Sequence, residues 1–118
     1  MANRMIEYTR LLSMTGAVII HTVDEDMRKD GPKFIKKVIE CGEKLLKEME
    51  TIFSSDALNK NENVALAFEI KQILGHIETL REKDPSDPFS IMSVAYIMGA
   101  SQAISVLKTA ESLNAQET

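Results

Sequence analysis

The side chains that could do chemistry in this 118-residue chain are few: His21, His76, Cys41 and some of its 18 acidic residues. His21 stands three and four residues before Asp24 and Glu25, a helical spacing that gathers one imidazole and two carboxylates on one face. Such a trio on a solvated helix end is a weak ligand set. Carboxylate-bridged metal sites in helical bundles need Glu-x-x-His pairs, and here Val18 and Ile73 occupy the positions three before the histidines. Cys41 has lysines nearby but no neighbouring histidine to lower its thiol pKa, so it reads as a small core residue. The sequence has no Gly-rich phosphate loop, no Gly-x-Ser-x-Gly elbow and no His-Glu-x-x-His. The expectation is a non-enzymatic protein with no metal and no cofactor.

Five basic residues, Arg28, Lys29, Lys33, Lys36 and Lys37, cluster in ten positions. The last three fall in the first two turns of a helical segment, where they oppose its dipole. One reading is an anion-binding corner for phosphate, nucleic acid or an acidic partner. The other is a solvated corner offset by Asp24, Glu25, Asp26 and Asp30, which is favoured because no aromatic side chain interleaves the lysines as a base-stacking surface requires. A formal charge of −4 repels polyanions overall. No specific nucleic-acid binding is expected.

The stretch from Pro88 to Leu107 carries no charge at all, and Ala95, Gly99 and Ala103 recur in it at every fourth position. Phe89, Met92, Tyr96, Val106 and Leu113 form one apolar line with Gly99, Ala103 and Ala110, while Ile91, Val94, Met98 and Ile104 form another. Two lines exceed the stripe needed for one core contact. Small residues admit a close backbone, and methionine adapts to irregular surfaces. The candidate interaction residues are therefore Met92, Ala95, Tyr96, Met98, Gly99 and Ala103, the alternative being a central helix covered by the other three. The stretch has the length of a membrane span, yet Ser90, Ser93, Ser101, Gln102 and Ser105 place a polar group at almost every turn. No membrane insertion is expected.

The elements that must position these groups follow from a 3.6-residue apolar period. A first helix over about 3–29 lines up Met5, Tyr8, Leu12, Ile19, Val23 and Met27, and Asp30-Gly31-Pro32 ends it, with Gly31 in the left-handed C-terminal conformation. A second, over 32–53, aligns Phe34, Val38, Cys41, Leu45, Met49 and Ile52, with Lys36–Glu40, Glu40–Lys44 and Glu43–Lys47 as i,i+4 pairs on its wet face. A polar connection leads to a third over 62–83, with Leu66, Ile70, Ile73, Ile77 and Leu80 in a narrow heptad stripe. The fourth spans 88–113, with Asp87 as N-cap, Pro88 at the first helical position and a fraying end from Asn114. Short connections make neighbours antiparallel, so the fold class is all-α, an up-down-up-down four-helix bundle in a single domain over 1–118.

Composition agrees, with 44% hydrophobic and 27% charged residues describing a globular chain. One cysteine precludes an intrachain disulfide and suits a reducing, cytoplasmic setting. Scattered charges in the first ten residues do not read as an export signal. The expected function is protein–protein interaction through the last helix, as a homodimer or with another protein, in the role of adaptor, assembly chaperone, regulator or inhibitor. The alternatives are a nucleic-acid-associated subunit using the Arg28–Lys37 corner, and a bundle enclosing an apolar small ligand.

Overall fold

A computed structural model describes the backbone of residues 4–54 and 58–117, and the side chains among these except at 14–28, 111 and 114–117. Within the described residues the chain is all-helical, four helices without a strand. Helical hydrogen bonding runs through Arg4–Phe53, but Asp30 (φ −157°, ψ 85°) interrupts it. The stretch is therefore two helices, α1 (4–29) and α2 (31–53).

Capping chemistry sets the boundaries. The Asp30 carboxylate accepts the Lys33 N–H at 3.2 Å, the bond an N-cap makes to the first turn. No described glycine has positive φ, so the expected left-handed Gly31 is corrected: the turn is made by Asp30. Gly31 is instead needed for space, since a Cβ there would lie 2.9 Å from Pro85 Cβ. The α1–α2 junction thereby closes on the turn preceding the last helix.

Helix α3, Lys60–Glu82, begins two residues before the expected start at Glu62. The reason is a capping box: Asn59 accepts from the Glu62 N–H at 2.8 Å while Glu62 accepts from the Asn59 N–H at 3.0 Å. Helix α4, Pro88–Glu117, starts where expected, with Asp87 accepting the Phe89 N–H at 2.9 Å. Its backbone is helical to Glu117 rather than fraying after Leu113, as the helix formers Ala115, Gln116 and Glu117 favour.

Helix α4 packs on the other three. Its Val94, Ile97, Ala100, Ala103, Ile104 and Leu107 join Leu45 and Met49 of α2, Ile73, Ile77 and Leu80 of α3, and Met5 and Tyr8 of α1 in one buried cluster. Each fully buried large side chain contributes roughly 1.5–3 kcal/mol. Gly42 allows a close approach to α3 and α4, for a Cβ there would meet Ile77 Cδ1 at 3.0 Å and Ile97 Cδ1 at 3.5 Å. Two serines on α4 are buried and satisfied: Ser90 donates to the Asp84 carbonyl at 2.9 Å, and Ser93 bonds His76. By length and hydropathy Pro88–Ala110 could cross a membrane, and 56% of its apolar window is buried within the bundle.

Surface pairing differs from the expected i,i+4 ladder. Glu43 reaches across to Arg81 of α3 at 2.9 Å instead of Lys47, Lys44 pairs with Glu48 at 3.8 Å, and Glu40 is in none of the ion pairs of the described residues. All are exposed enough to add little stability.

Candidate functional site

An apolar groove of about 350 Å³ lies between α1 and α4, walled by Leu12, Ser13, Ile91, Met92, Ala95, Tyr96 and Gly99. Ala95 and Gly99 leave the α4 surface low beside the exposed Met92. Among the described residues two hydroxyls line it, and each donates within the chain: Ser13 to the Thr9 carbonyl at 3.1 Å, Tyr96 to Glu69. The described lining is therefore mainly apolar.

Behind Tyr96 lies a polar cluster that joins three helices. Glu69 of α3 is only 8% exposed, and its Oε1 accepts from Tyr8 of α1 at 2.9 Å and from Tyr96 of α4. Burial first, and the Glu69 charge with its hydrogen bonds second, push both phenols above the ordinary tyrosine range. Tyr8 also meets Phe53 edge-on, with centroids 6.0 Å apart. Two turns along α3, His76 stacks on Tyr96 at 4.5 Å between centroids, and its Nδ1 lies 2.9 Å from Ser93 Oγ. Burial lowers the His76 pKa, against the opposing pull of Glu69.

A serine beside an imidazole and a buried carboxylate invites a nucleophile-and-base interpretation. Yet Ser93 is only 2% exposed, so its hydroxyl faces the imidazole rather than solvent. Among the described residues no three His, Cys, Asp or Glu side chains converge as a metal site would require. The cluster ties helices together.

Of the six candidate interaction residues, Met92, Ala95, Tyr96 and Gly99 line the groove, while Met98 and Ala103 do not. Ala95, Gly99 and Ala103 are buried within the chain, Tyr96 and Met98 are half-buried, and Met92 is exposed. Ala95 and Gly99 thus floor the groove with little exposed surface of their own, and Ala103 lies in the core. The large apolar side chains that α4 leaves to solvent are Phe89, Met92, Val106 and Leu113, 60%, 62%, 47% and 56% exposed, beside exposed polar residues such as Gln102, Ser105 and Lys108. At the basic corner Lys29, Lys33, Lys36 and Lys37 are exposed; the side chains of Arg28 and of His21 lie outside the described residues. Cys41 is half-buried, not fully buried, because α4 presents Ser101 there, its Oγ 3.4 Å from the thiol.

Motif spacing does not single out Glu69, although the sequence carries a signal for it. It sits three residues after Leu66 and four before Ile73, inside the apolar stripe where an acid needs a partner. Comparison with protein-family models, curated proteins and solved structures returns no match.

Proposed function

We propose that the chain is a non-enzymatic interaction module of the cytoplasm, a helical bundle that grips another protein or a second copy of itself through α4. Its role is that of an adaptor, assembly chaperone, regulator or inhibitor. The observation that carries this reading is the exposed line Phe89, Met92, Val106 and Leu113 on a helix whose opposite side is core. Leaving four large apolar side chains in water forgoes burial worth roughly 1.5–3 kcal/mol each, and exposed apolar surface on a helix is what a binding partner covers.

The test is affinity capture with the native chain and with M92K, in which a charge interrupts the line. A partner held by the native chain and released by M92K supports the proposal, whereas partners indifferent to the substitution oppose it. The mainly apolar described lining of the groove favours a second reading, an apolar small molecule held between α1 and α4. Native mass spectrometry of the purified protein separates the two, because a retained small molecule adds a discrete mass.

A further inference from the structure

We infer that His76 is a proton-operated latch between α3 and α4. Neutral, its ring seats on Ser93 and Tyr96; protonated, it turns out into water on the outer face of α3 and lets go of α4 at that height. The inference is independent of what α4 grips.

The seat suits a neutral imidazole. Nδ1 lies 2.9 Å from the hydroxyl of Ser93, a residue only 2% exposed, and the ring lies on Tyr96 with centroids 4.5 Å apart. A proton puts a full charge into this half-buried gap, where a charge without a partner is costly. Helix α4 supplies no partner, since Pro88 to Leu107 is uncharged. On α3 the acid that attracts the ring is Glu69, and its Oε1 already accepts from Tyr8 of α1 and Tyr96 of α4. Burial outweighs that attraction and lowers the His76 pKa.

A way out is open on α3. Phe68, Lys71, Gln72, Gly75 and Thr79 surround His76 in a depression of about 530 Å³. A Cβ at Gly75 would meet nothing within 4 Å, and the Thr79 hydroxyl is held by the Gly75 carbonyl at 3.0 Å. Rotation about the side-chain bonds of His76 therefore reaches water without moving the backbone. Lys71, the like charge on this side, is exposed and its repulsion is screened by solvent.

Departure of the ring removes the cross-helix bond of a buried hydroxyl and bares one face of Tyr96. Ile73, Ile77 and Leu80 stay buried on the same helix and keep the bundle folded. The latch thus opens one contact between α3 and α4 in an otherwise intact chain, over the pH range in which histidine titrates.

The experiment is a nuclear magnetic resonance titration of the full chain from about pH 8 to about pH 5, beside S93A and H21N. It reads the His76 ring, its through-space contact with Tyr96, and helical circular dichroism on matched samples. In the native chain the contact should be lost as His76 takes up its proton, with helicity retained. S93A should raise the His76 midpoint toward the ordinary histidine value, because the neutral seat loses the bond that favours it. H21N removes the only other histidine and should leave the profile as native. A His76–Tyr96 contact that persists after protonation overturns the inference, and so does helicity lost together with the contact, which is unfolding rather than a latch. An S93A midpoint equal to the native one, or an H21N chain that no longer loses the contact, overturns it as well.

Discussion

Tyr8 and Tyr96, the only tyrosines in the chain, donate their hydroxyl protons to one and the same carboxylate oxygen, Oε1 of Glu69. They come from α1 and α4, and the acid comes from α3, so a single atom ties the relative height of three helices. Hydrogen bonds to a charged acceptor are about twice as strong as neutral ones. A buried carboxylate stripped of its donors is correspondingly costly.

Y8F and Y96F should each lower the unfolding free energy by about 1–3 kcal/mol. The double variant should lose more than the sum, because it leaves Glu69 with neither donor. Urea unfolding of the four proteins completes the cycle. Simple additivity would show that the tyrosines act independently.

Raising the pH should destabilise the fold through the same pair. Both phenols are held above the ordinary tyrosine range, so the folded state binds protons more tightly than the unfolded chain. Their contribution is fully present below about pH 10 and is lost as the pH rises beyond it. Phenolate absorbance should therefore appear together with loss of helical circular dichroism. Phenolate forming in the intact fold near the ordinary tyrosine pKa would contradict the burial.

Acid should act through His76. Burial lowers its pKa from the ordinary 6.5, so the unfolded chain takes up the proton first as the pH falls. Stability is full above about pH 6.5 and declines below it toward the folded pKa. H76N should flatten that decline, and nuclear magnetic resonance titration of the imidazole should give a midpoint below that of an unfolded peptide. A raised midpoint would mean that attraction to Glu69 outweighs desolvation.

Two glycines should respond in opposite directions. Gly75 lies within α3, and a Cβ added there would meet nothing within 4 Å, so G75A should stabilise by about 0.5–1 kcal/mol through helix propensity. Gly99 is buried in α4, and G99L should cost about 1–3 kcal/mol by overpacking. Thermal unfolding decides both. A neutral G99L would mean that its surroundings open without cost.

The lysine corner should bind nucleic acid only weakly. Lys33, Lys36 and Lys37 are exposed at the start of α2 but sit in a chain of net charge −4, which weakens attraction at physiological salt. Titrating duplex and single strands at two ionic strengths, with the native chain and a variant carrying Glu at all three positions, is the check. Submicromolar binding at about 150 mM salt that vanishes in the variant would move the nucleic-acid reading ahead.

Helix count, the caps at Asp87 and Pro88, and most of the buried face of α3 were legible in the sequence because they depend on local spacing and on hydrogen bonds within a few residues. Gly31 was harder to read. Its position in a turn was plain, but its reason is the approach of Pro85 from a distant turn, which no local rule encodes. Burial of Ala95, Gly99 and Ala103 was open for the same reason: a small-residue seam has one pattern whether its neighbour belongs to the same chain or to another.

The sequence alone determined an all-helical fold, an uncharged last helix with more apolar perimeter than one core contact needs, and the lack of familiar catalytic spacings. Those properties are set by periodicity, propensity and composition, all of which act along the chain. Only the tertiary structure decided that Glu69 is a buried acceptor for Tyr8 and Tyr96, that His76 lies on Tyr96, and that Phe89, Met92, Val106 and Leu113 are the large apolar side chains of α4 left facing solvent. These depend on how helices rotate about their own axes when they pack. A rotation of a fraction of a turn exchanges buried for exposed side chains without changing anything that the local pattern records.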